Sequence, residues 1–128
     1  MMAVCGILET KGKVLLCKRV PWACCPGQWE LPTFEYKGEG TVEDVLEQGL
    51  FERLSLKAET LELFSTQNVR NVTDCRTWNY KVVRWKGSLF LSGYGAYRFV
   101  SLKKLHRLAL DPGSVTLVKK FFSLEGIT

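Results

Sequence analysis

The sequence has no long hydrophobic run and no low-complexity segment. No apolar stretch approaches the roughly 20 residues that a membrane-spanning helix needs. The N-terminal residues MMAVCGILETKGK lack a basic start followed by a long apolar core, so they do not indicate a signal peptide. We therefore expect a cytoplasmic protein without a membrane partner. Because no repeat or composition shift divides the 128 residues, we expect residues 1–128 to form a single domain.

Cysteine is too sparse and too irregularly spaced for a disulfide framework or a zinc site. The five cysteines include no paired CxxC motifs, and their number is odd. Cys5 and Cys17 lie in apolar, strand-like runs, which predicts buried thiols. The neighbours Cys24 and Cys25 lie in a predicted loop, where a bridge between them would be strained. A reduced pair and a reactive thiol are the two interpretations of this loop.

Acidic residues are outnumbered. Eighteen Lys and Arg against thirteen Asp and Glu give a formal net charge of +5, which favours an anionic partner such as a nucleotide or a nucleic acid. The single histidine, His106, has no carboxylate or thiol nearby in the sequence, so we interpret it as a surface residue. Several cations near the C-terminus predict either a basic patch or a solvated helical face: Lys103, Lys104, Arg107, Lys119 and Lys120.

Hydrophobic patterning predicts an α/β (α+β) fold. Apolar runs over residues 2–9 and 13–18 flank Thr10-Lys11-Gly12, which predicts a hairpin. Thr41, followed by acidic residues in the first turn, predicts the N-cap of a helix over residues 42–54. Ser101 is expected to cap a short helix to residue 108. Asp111-Pro112 is expected to begin a last helix to about residue 122. Further strands are predicted near residues 29–32, 60–65, 77–85, 89–91 and 97–100.

One segment carries a recognisable motif. Residues 28–32, QWELP, lead into a glycine-punctuated loop and then into the segment 45–56, which contains most of the predicted helix. With the downstream strand-to-helix segment 97–105, this order resembles the Nudix superfamily. Its motif places a Trp-x-Leu/Phe-Pro element before a glycine-rich loop and a helix with Arg-Glu-x-x-Glu-Glu-x-Gly. The resemblance implies the Nudix fold, with a mixed β-sheet sandwiched between helices.

Within the superfamily, the chain looks most like the C-terminal domain of MutY-type adenine DNA glycosylases. The shared features are the tryptophan-acid-apolar-proline element, a degenerate motif helix and the Tyr97-Arg98 entry to the final helices. In that family the domain recognises oxidised guanine in DNA and cleaves nothing. The resemblance therefore implies a DNA-repair-related binding role.

The motif helix lacks most of the residues that Nudix hydrolysis requires. In the family, three helix glutamates hold Mg²⁺ or Mn²⁺, which neutralises the phosphates and activates water. The matching positions in this chain are occupied by Gly49, Glu52 and Arg53. The orienting arginine is replaced by Gln48, and the loop glycines by Thr33 and Phe34. Residues 85–97, where the family often adds an acid, contain no Asp or Glu.

Glu52 is therefore the one helix carboxylate that the resemblance assigns to metal binding and catalysis. Three acids of the preceding segment are candidates for completing a divergent metal site: Glu30, Glu35 and Glu39. Arg53 places a permanent positive charge where the metal would bind, which opposes Mg²⁺ but suits a phosphate. The alternative is that Arg53 turns outward or pairs with Glu52.

Further residues are candidates for contacting a ligand. Phe34 and Tyr36 are suited to stacking on a base, and Arg19 ends the second strand beside the expected cleft. Asn68, Arg70 and Asn71 fall where the glycosylase relatives carry a base-reading loop, although this chain has no histidine there. An ordinary core, surface or turn role is the alternative for each of them.

These observations predict a Nudix-fold protein that binds a nucleotide or an oxidised base, with hydrolysis lost or weak. Two alternatives stay open. One is a divergent pyrophosphohydrolase that uses Mg²⁺ or Mn²⁺, Glu52 and loop acids. The other is a protein-interaction scaffold. The expected partner is a nucleotide or another nucleobase-containing small molecule, with nucleic acid as a further option. The sequence leaves the oligomeric state open.

Overall fold

The computed structural model describes residues 2–20, 27–68 and 76–126. The mixed α and β content expected from the sequence is confirmed, and the described strands form two four-stranded sheets. Contacts divide the chain into two compact units. The first unit is Met1–Leu8 with Pro32–Ser92, and the second is Glu9–Leu31 with Gly93–Thr128. The elements in chain order are β1 (Met2–Ile7), β2 (Glu9–Thr10), β3 (Lys13–Arg19), β4 (Trp29–Glu30), β5 (Thr33–Tyr36), α1 (Val42–Leu54), β6 (Lys57–Asn68), β7 (Arg76–Lys86), β8 (Tyr94–Ser101), a 3₁₀ helix (Leu102–Arg107) and α2 (Pro112–Leu124).

The first unit is a mixed sheet with α1 packed on it. Its strand order is β5-β1-β7-β6, in which β1 and β7 are parallel and the other pairs antiparallel. Helix α1 contacts β1, β5 and β6 and fully buries Leu46, Leu50 and Leu54, which share one helical face at a spacing of four. The Thr41 hydroxyl accepts a hydrogen bond from the Asp44 backbone N–H at 3.0 Å. The predicted cap and helix bounds are confirmed.

The second unit is an antiparallel sheet with the 3₁₀ helix and α2. Strand β3 pairs with β2, β4 and β8. The Asp111 carboxylate accepts a hydrogen bond from the Ser114 N–H at 3.1 Å, and Pro112 begins α2, which confirms the predicted helix start. The Ser114 hydroxyl accepts in turn from the Leu31 N–H at 3.2 Å, which ties the start of α2 to the end of β4. Phe121 and Phe122 of α2 are fully buried.

Three predictions about the elements need correction, and one strand is missing from them. The predicted hairpin strand over residues 2–9 divides at Leu8, because β1 pairs in the first unit and only Glu9–Thr10 pairs with β3. Residues 89–91 form no strand, since the Phe90 N–H donates to the Leu54 carbonyl at 3.1 Å. Ser101 makes no side-chain capping bond, and the segment after it is 3₁₀. Strand β5 is absent from the predicted elements, because Pro32 cannot donate a ladder hydrogen bond and so predicts the end of a strand.

The predicted burial of two thiols is confirmed. Among the described residues, Cys5 in β1 and Cys17 in β3 are buried. Cys24 and Cys25 lie outside the described residues, so both interpretations of that pair stay predictions. Over the ranges that the structure covers, no helix is long and apolar enough to cross a membrane.

Candidate functional site

The candidate site is a cavity of about 580 Å³ in the first unit, which we call the α1 cavity. It opens between one face of α1, strand β5 and the loop that joins them. The residues of α1 that line it include the motif positions discussed above. The full lining is Thr33, Phe34, Glu35, Lys37, Glu39, Val45, Gln48, Gly49, Glu52 and Arg53.

Phe34 and Gly49 are in direct contact within this cavity. Gly49 is buried on α1, and the Phe34 side chain, 9% exposed, packs onto it. A Cβ atom built on Gly49 would lie 2.5 Å from the Cγ atom of Phe34 and 2.6 Å from both Cδ atoms. Atoms at such distances overlap strongly, so no other side chain fits at position 49 while the ring stays in place. Glycine inside a helix costs about 1 kcal/mol relative to alanine, and the ring contact accounts for its presence here.

This contact joins two positions that the sequence resemblance matches to the Nudix motif. The resemblance matches position 49 to the first motif glutamate and position 34 to a loop glycine. Relative to that expected pattern, the small residue and the large residue have exchanged places. The Phe34 ring consequently occupies the volume into which a side chain at position 49 would extend. The Phe34 ring packs on Gly49 and also lines the cavity, and its stacking on a base stays a prediction.

The polar side chains of α1 are arranged around Glu52. The Gln48 amide Nε2 donates a hydrogen bond to the Glu52 carboxylate at 2.8 Å, as expected for exposed side chains four residues apart on a helix. Arg53 is exposed, and no ion pair involves it among the described residues. It stands in the last turn of α1, where the helix dipole favours a cation. The cavity therefore contains an arginine whose charge is available to a ligand.

The loop between β5 and α1 is held in shape by Tyr36. Its hydroxyl donates a hydrogen bond to the Gly40 carbonyl at 2.7 Å, and its ring packs edge-on against Trp78 with the ring centroids 5.7 Å apart. Gly38 and Gly40 adopt φ values of +85° and +71°, which disfavour any residue with a Cβ. The loop carries Lys37 and Glu39 into the cavity lining. Tyr36 thus fixes the loop that presents these two charges.

The carboxylates of the α1 cavity do not form a preformed metal centre. Mg²⁺ requires close to octahedral oxygen coordination, usually from carboxylates, waters and substrate phosphates. Glu35, Glu39 and Glu52 all line the cavity, but nowhere in the described ranges do three Asp, Glu, His or Cys side chains converge closely enough to hold a metal. Lys37 and Arg53 share the same lining and would oppose a bound cation. The donor set therefore does not fit the metal site that the resemblance implies.

Other residues named from the sequence lie elsewhere. Arg19 and Glu30 form an ion pair in the second unit, on the neighbouring strands β3 and β4. Asn68 ends β6, where it pairs with Arg76 of β7. Arg70 and Asn71 lie outside the described residues. The structure therefore gathers Phe34, Tyr36, the loop acids and the helix residues 52 and 53 in one unit, and places Arg19 and Glu30 in the other.

Sequence reasoning missed two features of the first unit. Lys37 lines the α1 cavity, but in the sequence it looked like an ordinary loop residue. Tyr80 of β7 donates a hydrogen bond to the Glu43 carboxylate at 2.9 Å. Burial, together with the neighbouring carboxylate of Glu43, raises the pKa of Tyr80 to about 12. This bond directs Glu43 onto the sheet, and no periodicity in the sequence marks the pair.

Comparison with known proteins gives the fold. No family model matches the chain, and no curated protein matches it in sequence. Solved structures do match. The E. coli ORF135 protein shares 24% identity and a TM-score of 0.82, over 97% of this chain and 89% of that one. A MutT Nudix hydrolase from Burkholderia pseudomallei shares 18% identity and a TM-score of 0.79, over 92% and 95%.

A third solved structure was determined with a ligand. The Nudix domain of Shewanella oneidensis NrtR, complexed with ADP ribose, shares 17% identity and a TM-score of 0.77, over all of this chain and 88% of that one. These similarities show that the chain has the fold of the Nudix proteins. At such identities, activity has to be argued from the residues of this chain.

Proposed function

We propose that this Nudix-fold chain binds a nucleotide or an oxidised nucleobase-containing ligand in the α1 cavity, and that its hydrolytic activity is lost or weak. The observation that carries the proposal is the contact between Phe34 and Gly49. A carboxylate at position 49 is absent from the sequence, and the space for it is filled by the aromatic ring. The α1 cavity is therefore present, but the first of the three metal ligands that the resemblance implies is absent.

The charges of the cavity support phosphate binding. Arg53 carries a permanent charge and can donate two parallel hydrogen bonds to a phosphate, and Lys37 adds a second cation to the lining. The Gln48 amide and the Thr33 hydroxyl supply further donors in the same lining. A volume of about 580 Å³ lies within the usual range for small-molecule sites. The ADP-ribose complex of the NrtR domain supports a nucleotide as the ligand class.

The remaining residues receive supporting roles in this proposal. Glu52 positions Gln48 through their hydrogen bond, Phe34 shapes the cavity floor, and Tyr36 fixes the loop. Arg19 and the polar segment Asn68, Arg70 and Asn71 remain candidate ligand contacts from the sequence. Oxidised guanine is the base that the MutY resemblance implies, so oxidised guanosine nucleotides belong among the ligands to be tested.

A divergent hydrolase is the second candidate, and one observation favours it. Glu35, Glu39 and Glu52 line the same cavity, so the loop acids are on the correct side of α1 to share a ligand with Glu52. Glu30 forms an ion pair with Arg19 in the second unit and stays a candidate from the sequence. Within the first unit, the hydrolase hypothesis rests on Glu35, Glu39 and Glu52.

A thermal-shift assay tests binding. The panel contains ADP-ribose, nucleoside di- and triphosphates and their oxidised guanine forms, each with and without Mg²⁺. A ligand at a hundred times its Kd should stabilise the protein by about 2.7 kcal/mol. Arg53→Gln should abolish most of that shift, whereas the control Arg84→Gln, an exposed arginine of β7 outside the cavity, should keep it. A folded protein that no ligand stabilises would leave the scaffold hypothesis.

A turnover assay tests hydrolysis on the same panel with Mg²⁺ or Mn²⁺. We expect little or no product. The informative comparison is Glu52→Gln with Glu47→Gln, because Glu47 is exposed on α1 and does not line the cavity. Robust metal-dependent turnover that is lost in Glu52→Gln and kept in Glu47→Gln would refute the proposal and establish the second candidate.

A further inference from the structure

The positive charge of the chain is concentrated in one unit. The second unit contains ten Lys and Arg against four Asp and Glu, a formal charge of +6. The first unit contains eight against nine, a formal charge of −1. The net charge of +5 therefore belongs to the unit that does not contain the α1 cavity. A partner attracted by this charge is expected to meet the second unit first.

Within the second unit, three cations surround a separate cavity of about 300 Å³, which we call the basic cavity. Arg98 comes from β8, and Lys104 and Arg107 come from the 3₁₀ helix. Its other walls are apolar and are formed by Phe99, Val100 and Leu108. No acidic residue is part of the lining, and within the described ranges none of the three cations forms an ion pair.

This arrangement needs an anion to be electrostatically neutral. Three like charges around one depression repel one another, and a bound phosphate would relieve that repulsion. All three side chains are exposed, so a single phosphate would gain little from each of them in water. A chain of phosphates gains more, because each neutralised phosphate also releases counterions. The apolar wall provides a surface on which a base can rest.

We propose that the basic cavity binds the phosphodiester backbone of a single-stranded nucleic acid, with a base against Phe99 and Leu108. The site is distinct from the α1 cavity, and it does not depend on the function proposed there. Lys103 on the same 3₁₀ helix and Lys119 on α2 are also exposed and would add positive charge for a longer nucleic acid strand.

The test compares two triple variants by fluorescence anisotropy with a labelled oligonucleotide of about 12 nucleotides. The site variant replaces all three cations of the basic cavity with glutamine: Arg98, Lys104 and Arg107. The control variant removes the same number of exposed cations elsewhere: Lys13, Lys57 and Arg84. Circular dichroism melting establishes that both are folded. Arg53→Gln serves as a separate control and should bind the strand like the wild type.

Salt dependence gives the expected magnitude. For a single strand, the slope of log K against log salt becomes less negative by about 0.7 for each phosphate contact that is lost. The site variant loses three contacts, so its slope should be less negative than that of the wild type by about 2. Between about 50 and 200 mM salt, the wild-type affinity should then fall about 20-fold more than that of the site variant. The control variant should keep the wild-type slope.

Two results would overturn the proposal. Equal affinities and slopes for the site and control variants would mean that the strand responds to net charge alone. Complete displacement of the oligonucleotide by ADP or inorganic phosphate at constant ionic strength would mean that the cavity takes a small phosphate compound.

Loss of nucleotide binding in Arg53→Gln with strand binding unchanged would separate this site from the function proposed above.

Discussion

Gly49→Ala should destabilise this protein, although alanine is the better helix former. Inside a helix the exchange normally stabilises by about 0.5–1 kcal/mol, because alanine loses less backbone entropy on folding. Here the new methyl group would lie 2.5–2.6 Å from three atoms of the Phe34 ring. The ring is 9% exposed and has little room to retreat. The sign of the effect therefore depends on the contact.

The magnitude follows from the two opposing terms. Forcing one methyl group into a packed site typically costs about 1–3 kcal/mol, which exceeds the propensity gain. We expect Gly49→Ala to lower the free energy of unfolding by about 0.5–2 kcal/mol, the difference of these terms. Phe34→Ala alone should cost about 3 kcal/mol, since it removes a buried ring. In the double variant the alanine at position 49 meets no ring, so it should stabilise the helix by the usual amount of about 0.5–1 kcal/mol over glycine.

A double-mutant cycle measured by urea unfolding tests this reasoning. The coupling between Phe34→Ala and Gly49→Ala should be about 1–3 kcal/mol in the direction of mutual compensation. A control cycle of Phe34→Ala with Glu47→Ala, at an exposed position of α1, should be additive within about 0.5 kcal/mol. The reasoning is refuted if Gly49→Ala stabilises the protein and its cycle with Phe34→Ala is additive.

Three further predictions concern the described side chains. The pKa of Tyr80 is raised in the folded state, so the stabilisation from its neutral form is complete below about pH 10 and is lost between about pH 10 and 12. Chemical denaturation across this range should show that the free energy of unfolding declines more steeply for the wild type than for Tyr80→Phe. Parallel declines would contradict the assignment. The Asn79 Oδ1 atom is buried and has no hydrogen-bond partner among the described residues, so Asn79→Leu should be neutral or stabilise by up to about 1 kcal/mol even though the bond to Ser65 is lost. A loss above about 2 kcal/mol in urea unfolding would indicate a satisfied oxygen. Thr41→Ala should cost about 1 kcal/mol through loss of the α1 cap, and Thr41→Ser should restore most of it in the same assay.

The helices were predictable from the sequence because their ends are determined locally. Thr41 and Asp111 each accept a hydrogen bond from the N–H three residues ahead, and such caps depend on side chains close in sequence. Strand partners depend on distant residues. The apolar run over residues 2–9 gives no indication that it leaves one sheet for another at Leu8. Phe90 looked like part of a strand, but it is 72% exposed and its backbone bonds to the end of α1.

The residues of the candidate site could be named from the sequence, but their arrangement could not. The resemblance matches Phe34, Gly49 and Arg53 to motif positions that carry other residues. It gives no indication that the Phe34 ring packs on Gly49, because positions 34 and 49 meet only when β5 and α1 pack together. The basic cavity has the same origin, since Arg98 joins Lys104 and Arg107 through the packing of β8 and the 3₁₀ helix.

The two buried thiols make the opening of each unit separately measurable. Cys5 reports on the sheet of the first unit and Cys17 on the sheet of the second, and a thiol reagent reaches either one only when its surroundings open. Labelling rates, assigned by peptide mass spectrometry, therefore give one opening free energy for each unit. Equal rates would mean that the chain opens in one cooperative step. Faster labelling of one thiol would identify the unit that opens first. A ligand of the α1 cavity should slow the labelling of Cys5, because binding lowers the population of the open state of the first unit.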